Sequence, residues 1–152
     1  MEKQTYEKCK EIERKSMSML IPKLRHKYDI MHPLDDKVSQ EYIGDYICIK
    51  DQRATIIEFK AEMKHTGNLF LEIWSNIGLN EGWYRKCRAD FVIYHFLLAG
   101  KVYYVDIQGL KQVLDESKLR TAKQEKTDQK NDALGMLLPI KDYPKYVKLI
   151  SI

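Results

Sequence analysis

Two acidic residues and one lysine occur where apolar segments begin or end. Asp45 precedes an apolar segment at residues 46–49, and Glu58 and Lys60 lie at the end of a second one that begins at Thr55. Carboxylate oxygens are hard ligands that suit Mg²⁺ or Mn²⁺. Such an ion lowers the pKa of a bound water and neutralises charge that develops on a phosphate group, and a nearby ammonium group can orient that water. These residue types therefore predict a site for phosphodiester hydrolysis.

The spacing of the two apolar segments predicts an antiparallel β-hairpin. Both segments are rich in β-branched residues, and the polar residues 50–53 separate them. If the turn is centred directly after Gln52, Asp45 faces Lys60 across the hairpin. Side chains alternate between the two faces of a strand, so Glu58 shares a face with both. The expected result is two carboxylates and one ammonium group in a single pocket.

Residues 5–20 predict an amphipathic helix that carries a carboxylate on its apolar side. Glu13 lies within the apolar arc, where a carboxylate needs a partner or a metal ion to offset the loss of hydration. Pro22 is expected to end or bend the helix. The apolar arc consists of Tyr6, Cys9, Ile12, Met17, Met19 and Leu20.

The remaining patterns predict one α+β domain over residues 1–152. Its central sheet is expected to be mainly antiparallel or mixed, with about five strands, and flanked by helices. The expected further elements are a connection at 26–40, a strand at 69–74, a hairpin formed by 89–98 and 102–107, and a helix at 110–120. Residues 121–132 are expected to form an exposed helix or a mobile loop, and residues 136–140 and 146–150 a strand or short helix.

An acidic residue on one strand, followed by Glu-x-Lys on the antiparallel neighbour, is the minimal signature of the PD-(D/E)XK nuclease superfamily. Asp45 and the segment Glu58-Phe59-Lys60 resemble this signature. The resemblance implies a restriction-endonuclease-like core in which Asp45 and Glu58 bind Mg²⁺ or Mn²⁺. It also implies that the main-chain carbonyl of Phe59 completes the inner ligand shell and that Lys60 assists the attacking water.

Two further positions bear on this resemblance. Many members of the superfamily place a glutamate from the preceding helix at the metal site, and Glu13 matches that position. The family pattern usually has proline directly before the aspartate, whereas this chain has Gly44. The resemblance covers roughly residues 5–107, and its core motif is short.

A second region resembles small phage-type members of the same superfamily. Thr66-Gly67-Asn68 precedes a strand that carries Glu72, and Gly82-Trp83 and Ala89-Asp90 follow. The resemblance makes Glu72 an outer metal ligand or a partner of Lys60. Residues that could contact nucleic acid are Lys64, His65, Asn68, Arg85, Lys86 and Arg88. Structural interpretations remain open beside these: Glu72 as a cross-strand partner, Asp90 as a strand-start cap and the basic patch as a solvated loop.

Composition narrows the class of protein. A chain of 152 residues with 44% hydrophobic content predicts a single buried core, and its net charge of +4 is compatible with a polyanionic partner. The three cysteines lack C-x-x-C spacing, the four histidines form no H-E-x-x-H motif, and no P-loop motif is present. A zinc hydrolase, a redox pair and a P-loop ATPase are therefore disfavoured. The lack of an apolar signal region or membrane-length segment predicts a cytoplasmic location, in the host cytoplasm if the chain is phage-encoded.

The sequence thus predicts a Mg²⁺- or Mn²⁺-dependent DNA nuclease that acts in phage-type recombination, replication or genome processing. A homodimer is expected for cutting two strands, because a two-fold axis matches a duplex or a junction. Two alternatives remain open. One is a catalytically silent nucleic-acid-binding module on the same fold, and the other is a protein-interaction domain in which Asp45, Glu58 and Lys60 form a structural salt bridge.

Overall fold

The computed structural model describes residues 6–152, and ten strands in two sheets form its framework. The elements in chain order are α1 (Tyr6–Leu24), β1 (Ile30–Pro33), α2 (Lys37–Tyr42), β2 (Tyr46–Lys50), β3 (Arg53–Glu62), β4 (Asn68–Asn76), β5 (Asn80–Glu81), α3 (Trp83–Lys86), β6 (Phe91–Phe96), β7 (Lys101–Val105), α4 (Ile107–Val113), β8 (Arg120–Gln124), β9 (Ala133–Pro139) and β10 (Val147–Ile150). Two 3₁₀ turns, Glu116–Lys118 and Ile140–Asp142, complete the described elements.

The strands divide into a six-stranded and a four-stranded sheet. The first has the order β1-β2-β3-β6-β7-β10, in which only the β3–β6 pair is parallel. The second has the order β5-β4-β9-β8 and is antiparallel. The α+β class and a mixed central sheet are confirmed, but that sheet has six strands and not about five, and the second sheet was not expected. The strand expected at 69–74 does form, as β4, and it pairs with β9 instead of joining the first sheet.

Three layers enclose two apolar cores. The C-terminal half of α1 packs on one face of the six-stranded sheet, and the four-stranded sheet covers the other face. The first core includes Leu20, Leu24, Cys48, Ile57, Phe59 and Ile93. The second includes Leu69, Leu71, Val92, Tyr94, Phe96, Met136 and Leu138. Burial of each large apolar side chain contributes about 1.5–3 kcal/mol, so both faces of the six-stranded sheet are stabilised by packing.

The β2–β3 hairpin forms with a register that differs from the expected one. Lys50 pairs with Arg53, so the turn consists of Asp51 and Gln52, which have φ angles of 50° and 65°. Two positive φ values are typical of the two-residue turns that match the twist of a hairpin. Tyr46 pairs with Ile57, which places Asp45 opposite Glu58 and not opposite Lys60. A shift of two residues preserves the side-chain alternation, so the face of each residue does not change.

Several expected boundaries are also corrected. The helix α1 continues through Pro22 to Leu24, because Ile21 and Leu24 are buried and stabilise its last turn. Position 5, the expected start of this helix, lies outside the described residues. Tyr6 and Met19, which were expected on the apolar side, are exposed. The connection at 26–40 contains β1 and most of α2.

The C-terminal third contains more strands than expected. The helix expected at 110–120 is the shorter α4, followed by a 3₁₀ turn. Residues 121–132 do not form a helix or an unpaired loop throughout, because β8 pairs with β9 along residues 120–124. The two last apolar segments both become strands, β9 and β10, which belong to different sheets. Among residues 6–152, none of the helices combines the length and the apolar character that crossing a bilayer requires.

Candidate active site

The strand β3 extends beyond β2 and leaves an open edge. It has ten residues whereas β2 has five, and the last pair between them is Tyr46 with Ile57. Within residues 6–152, no strand pairs with β3 on this side from residue 58 to 62, and we call this stretch the open edge. Asp45 lies at the end of the open edge that adjoins β2. Its N–H donates to the Ile57 carbonyl at 3.0 Å, and its Oδ2 accepts from the Phe59 N–H at 2.7 Å.

The carbonyl of Phe59 points toward the same open edge. Peptide groups alternate in direction along a strand, so those of Ile57 and Phe59 face the Asp45 side. The carbonyls of Ile56 and Glu62, by contrast, accept on the β6 side, from the N–H groups of Asp90 and Leu97, each at 2.9 Å. A carboxylate and a main-chain carbonyl are therefore brought together at the open edge.

Lys60 lies between two carboxylates from different elements. Its Nζ is 3.4 Å from Glu13 Oε1 and 3.6 Å from Glu58 Oε1, and only 18% of its side chain is exposed. Glu13 comes from the N-terminal half of α1, which can approach Lys60 because no described strand covers this edge. The expected convergence of Asp45, Glu58 and Lys60, with Glu13 from the preceding helix, is thus present in the structure.

The charges around Lys60 are unbalanced. Burial lowers the pKa of its ammonium group, but surrounding carboxylates raise that pKa by more, so the net shift is upward. The carboxylates, in order of their effect, are Glu13, Glu58, Asp45 and Glu72. Lys60 therefore stays protonated at neutral pH and acts as a hydrogen-bond donor in this cluster.

The pKa of Asp45 is also raised by its surroundings. Burial raises the pKa of its carboxyl group to about 6, although the Phe59 N–H and the Lys60 ammonium group both act to lower it. The neighbouring carboxylates of Glu58 and Glu13 raise it further. Both effects disfavour the charged carboxylate, and a bound cation would reverse them.

The second sheet and the short helix α3 close the cluster. Glu72 on β4 accepts a hydrogen bond from the Trp83 N–H at 3.3 Å, and burial raises its pKa while Lys60 lowers it. The Trp83 ring lies 5.5 Å from Lys60 Nζ. Glycine is required at position 82, because a Cβ there would overlap the main-chain carbonyl of Glu72. This close approach places α3 over Lys60.

Sequence reasoning missed Glu62, although the alternation that groups Glu58 with Lys60 also includes it. Burial raises the pKa of Glu62 to about 7, while a hydrogen bond with Tyr94 lowers it. Its Oε2 is buried and has no hydrogen-bond partner in the described part of the chain. Glu62 thus adds another carboxyl group to this face of β3.

Two lysines and a cysteine at the margin were also missed, because their positions depend on contacts distant in sequence. Cys87 lies beside Glu58, and burial raises the pKa of its thiol to about 12, so it is not a reactive thiolate. Lys111 donates to the Cys87 carbonyl at 2.8 Å and also interacts with Glu58. Lys126 interacts with Glu72.

The residues expected to contact nucleic acid lie outside this cluster. Lys64, Lys86 and Arg88 are exposed, and Asn68 is half-buried at the start of β4. Two others have partners of their own: Arg85 pairs with Glu116 at 3.1 Å, and His65 lies 2.7 Å from the Tyr103 hydroxyl. Asp90 is exposed and accepts the Ile56 N–H at 2.8 Å, which supports its structural interpretation.

The donor set suits a hard divalent cation. Among residues 6–152, no three His, Cys, Asp or Glu side chains form a ready metal-binding group. The ligand set expected from the sequence has only two side chains, Asp45 and Glu58, together with the Phe59 carbonyl, and waters would complete the coordination. Comparisons with protein-family models, with curated proteins and with solved structures found no match to this chain.

Proposed function

We propose that this protein is a divalent-metal-dependent DNA nuclease of the PD-(D/E)XK kind, which hydrolyses phosphodiester bonds. One observation carries the proposal: Asp45, Glu58 and the Phe59 carbonyl lie together at the open edge of β3, beside the half-buried Lys60. Two carboxylates and one carbonyl are oxygen ligands that suit Mg²⁺ or Mn²⁺, and an ammonium group beside them can stabilise charge on a phosphate.

The ligands of Mg²⁺ or Mn²⁺ in this proposal are Asp45, Glu58 and the Phe59 carbonyl, with Glu13 and Glu72 as outer partners. When bound, such an ion supplies a water of lowered pKa and neutralises charge on the phosphate. The hydrogen bond from the Phe59 N–H holds Asp45 Oδ2, which fixes the orientation of the carboxylate. Glu13 and Glu58 in turn hold the Lys60 ammonium group in position.

Lys60 acts as a proton-bearing donor in this proposal and not as a general base. Its pKa lies above the usual value for lysine because of the surrounding carboxylates, so loss of the proton at neutral pH is strongly disfavoured. An ammonium group in this position can donate to the attacking water or to a phosphate oxygen. Either contact stabilises the negative charge that develops in the transition state.

A purely structural salt bridge explains the cluster less well. Four carboxylates surround Lys60, and within residues 6–152 Lys111 interacts with Glu58 and Lys126 with Glu72. Lys60 itself therefore faces four carboxylates in a site that is largely buried. Ion pairs that serve stability alone need their charges matched, because unmatched buried charge is costly.

A cleavage assay tests this proposal. Supercoiled, linear, branched and single-stranded DNA are incubated with the protein and Mn²⁺ or Mg²⁺, with chelator as the blank. We expect metal-dependent cleavage that is lost in Lys60→Met and Glu58→Gln. Lys148→Met, an exposed lysine on β10, is the matched control and should cleave normally.

Each of the other possible outcomes of the assay supports a different interpretation. Undiminished cleavage by Lys60→Met or Glu58→Gln would point to a contaminating nuclease and contradict the proposal. Binding of DNA without cleavage under any metal would favour the silent nucleic-acid-binding module. Failure to bind either DNA or a divalent metal, measured by titration calorimetry, would favour the protein-interaction domain.

A further inference from the structure

A cleft lined in part by cationic and other polar side chains lies at the end of β3 beyond the candidate active site. It has a volume of about 680 Å³ and lies between the loop after β3, the start of β7, the start of β8 and the turn after β9. We call it the donor cleft, because its lining includes side chains that can donate hydrogen bonds. These are His65, Asn68, Lys101, Tyr103, Arg120 and Lys141. Asp142 is the one acidic residue among those that line it.

The hydrogen bonds of His65 determine what Tyr103 offers to the donor cleft. The Gly67 N–H donates to His65 Nδ1 at 2.9 Å, so Nδ1 carries no hydrogen. The neutral ring therefore carries its hydrogen on Nε2, which donates to the Tyr103 hydroxyl oxygen at 2.7 Å. Stacking on Phe96, with ring centroids 4.4 Å apart, holds the imidazole in place. The hydroxyl hydrogen of Tyr103 is then left to donate to an acceptor in the cleft.

The lining as a whole favours an anion. Lys101, Arg120 and Lys141 are exposed cations, and the Asn68 amide and the Tyr103 hydroxyl provide neutral donors. Three cations against the single carboxylate of Asp142 leave net positive charge in the cleft. A phosphodiester group, with a delocalised negative charge and only acceptor oxygens, matches this lining.

The donor cleft and the candidate active site are connected by β4. Glu72 lies at the active site and Asn68 in the cleft, four residues earlier on the same strand. At the usual rise of a strand this separation is roughly 13 Å. Successive phosphates of one strand of a duplex advance by about 3.4 Å along the helix axis, so the cleft lies about four steps from the active site.

We propose that the donor cleft binds a backbone phosphate of the nucleic-acid substrate, about four steps from the bond that is cut. The inference rests on the proposed function for its substrate. Because phosphate contacts carry no sequence information, the cleft sets affinity and register and leaves base preference to other residues.

A second cation-lined cleft provides a matched control. It has a volume of about 640 Å³ and lies at the hairpin end of β2 and β3, where Lys50, Arg53 and Lys27 accompany Asp51. Its cations and its acid are equal in number to those of the donor cleft. It lies at the opposite end of β3 from Lys60, and its Lys27 already donates to the Ser151 carbonyl at 2.8 Å.

The experiment measures binding of a short fluorescent duplex by anisotropy, in chelator so that no cleavage occurs, over a range of salt concentrations. Lys101→Gln with Arg120→Gln should raise Kd about tenfold and flatten the salt dependence by about one ion per lost phosphate contact. Lys50→Gln with Arg53→Gln removes the same charge and should change Kd by about twofold or less, since salt screens distant charges. Tyr103→Phe should raise Kd about threefold through loss of one hydrogen bond.

Each remaining result overturns the inference. An unchanged Kd in the Lys101/Arg120 double variant would do so, as would an equal or larger loss in the Lys50/Arg53 double variant, or a wild-type chain that does not bind the duplex. Thermal unfolding verifies that each variant is folded. If Tyr103→Phe does not fold, the double variants, which change only exposed side chains, still decide the question.

The outcome is separable from that of the nuclease proposal. A chain that binds through the donor cleft but never cleaves would uphold the cleft and contradict the nuclease. A chain that cleaves but is indifferent to the Lys101/Arg120 change would uphold the nuclease and contradict the cleft.

Discussion

Asp45 and Asp90 each make two hydrogen bonds of the same kinds, one through the side chain and one through the main-chain N–H, to opposite edges of β3. Asp45 accepts the Phe59 N–H and donates its own N–H to the Ile57 carbonyl, whereas Asp90 accepts the Ile56 N–H and donates to the Ile56 carbonyl. Asp45 lies just before β2, and Asp90 lies just before β6. Each aspartate therefore extends the hydrogen bonding of β3 by one residue beyond the start of the neighbouring strand.

The difference between them lies in their surroundings. Asp90 is exposed, whereas Asp45 is largely buried and lies among Glu13, Glu58 and Lys60. The same backbone role is therefore served with and without a charged cluster. Capping an edge explains why an aspartate is suitable at either position, but it does not explain the additional charges around Asp45.

The most direct way to break this comparison is to replace each carboxylate by an amide. Asp45→Asn and Asp90→Asn both retain an oxygen that can accept the β3 N–H. If Asp45 is a metal ligand, its replacement should lower the initial rate of Mn²⁺-dependent cleavage by at least about 100-fold, beyond the range for outer partners of a metal site. Asp90→Asn should cleave at close to the wild-type rate. Equal losses in both variants would mean that Asp45 is only a cap.

The contrast also shows what sequence patterns could predict. Alternation along β3 placed Glu58 and Lys60 on one face, and that result did not depend on the turn being correct, because the register error was two residues. The same alternation could have found Glu62. The helical phase of α1 was sufficient to identify Glu13, even though the apolar arc was partly wrong.

The layer arrangement was not accessible from the same patterns. One pairing partner of β4 is β9, some sixty residues later, and alternation within a strand does not identify its neighbour. The strand β8 is polar because it lies at a sheet edge, so its composition favoured a loop or an exposed helix. The closeness of Cys87 and Lys111 to Glu58 likewise depends on α3 and α4, whose docking no local pattern describes.

A second test concerns the short helix α3, which lies over Lys60 near Asp45. Gly82→Ala forces a Cβ against the Glu72 carbonyl, so α3 must move away from β4. We expect the free energy of unfolding to fall by about 2–3 kcal/mol, as in other overpacked sites. Gly78→Ala is the control: it has open space and a φ of 78°, and should cost about 1 kcal/mol from backbone strain alone. Urea unfolding measures both, and a smaller effect for Gly82→Ala would contradict the close contact.

The pH dependence of stability sharpens the comparison further. The pKa of Asp45 is about 6 in the folded protein, whereas the ordinary value for an aspartate, which applies to the unfolded chain, is 3.8. At a pH between these two values the native chain retains a proton that the unfolded chain releases. Stability contributed by this group must therefore fall as pH rises from about 4 to 6, by roughly 2 kcal/mol after allowance for partial hydration. Urea unfolding in chelator should show this fall in wild type relative to Asp45→Asn. A curve of stability against pH for Asp45→Asn that runs parallel to that of wild type would contradict the upward shift.

The smallest expected effect concerns the aromatic ring that accompanies Lys60. The Trp83 ring lies 5.5 Å from Lys60 Nζ, a distance at which the ring face attracts a cation by about 0.5–1 kcal/mol at a partly exposed site. Trp83→Leu should therefore slow cleavage about two- to fivefold, because the ammonium group is less well oriented. Trp83→Phe retains a ring face and should recover part of that loss. Initial rates at saturating Mn²⁺ measure both variants, and equal rates for leucine and phenylalanine would show that Trp83 acts through packing and not through its ring.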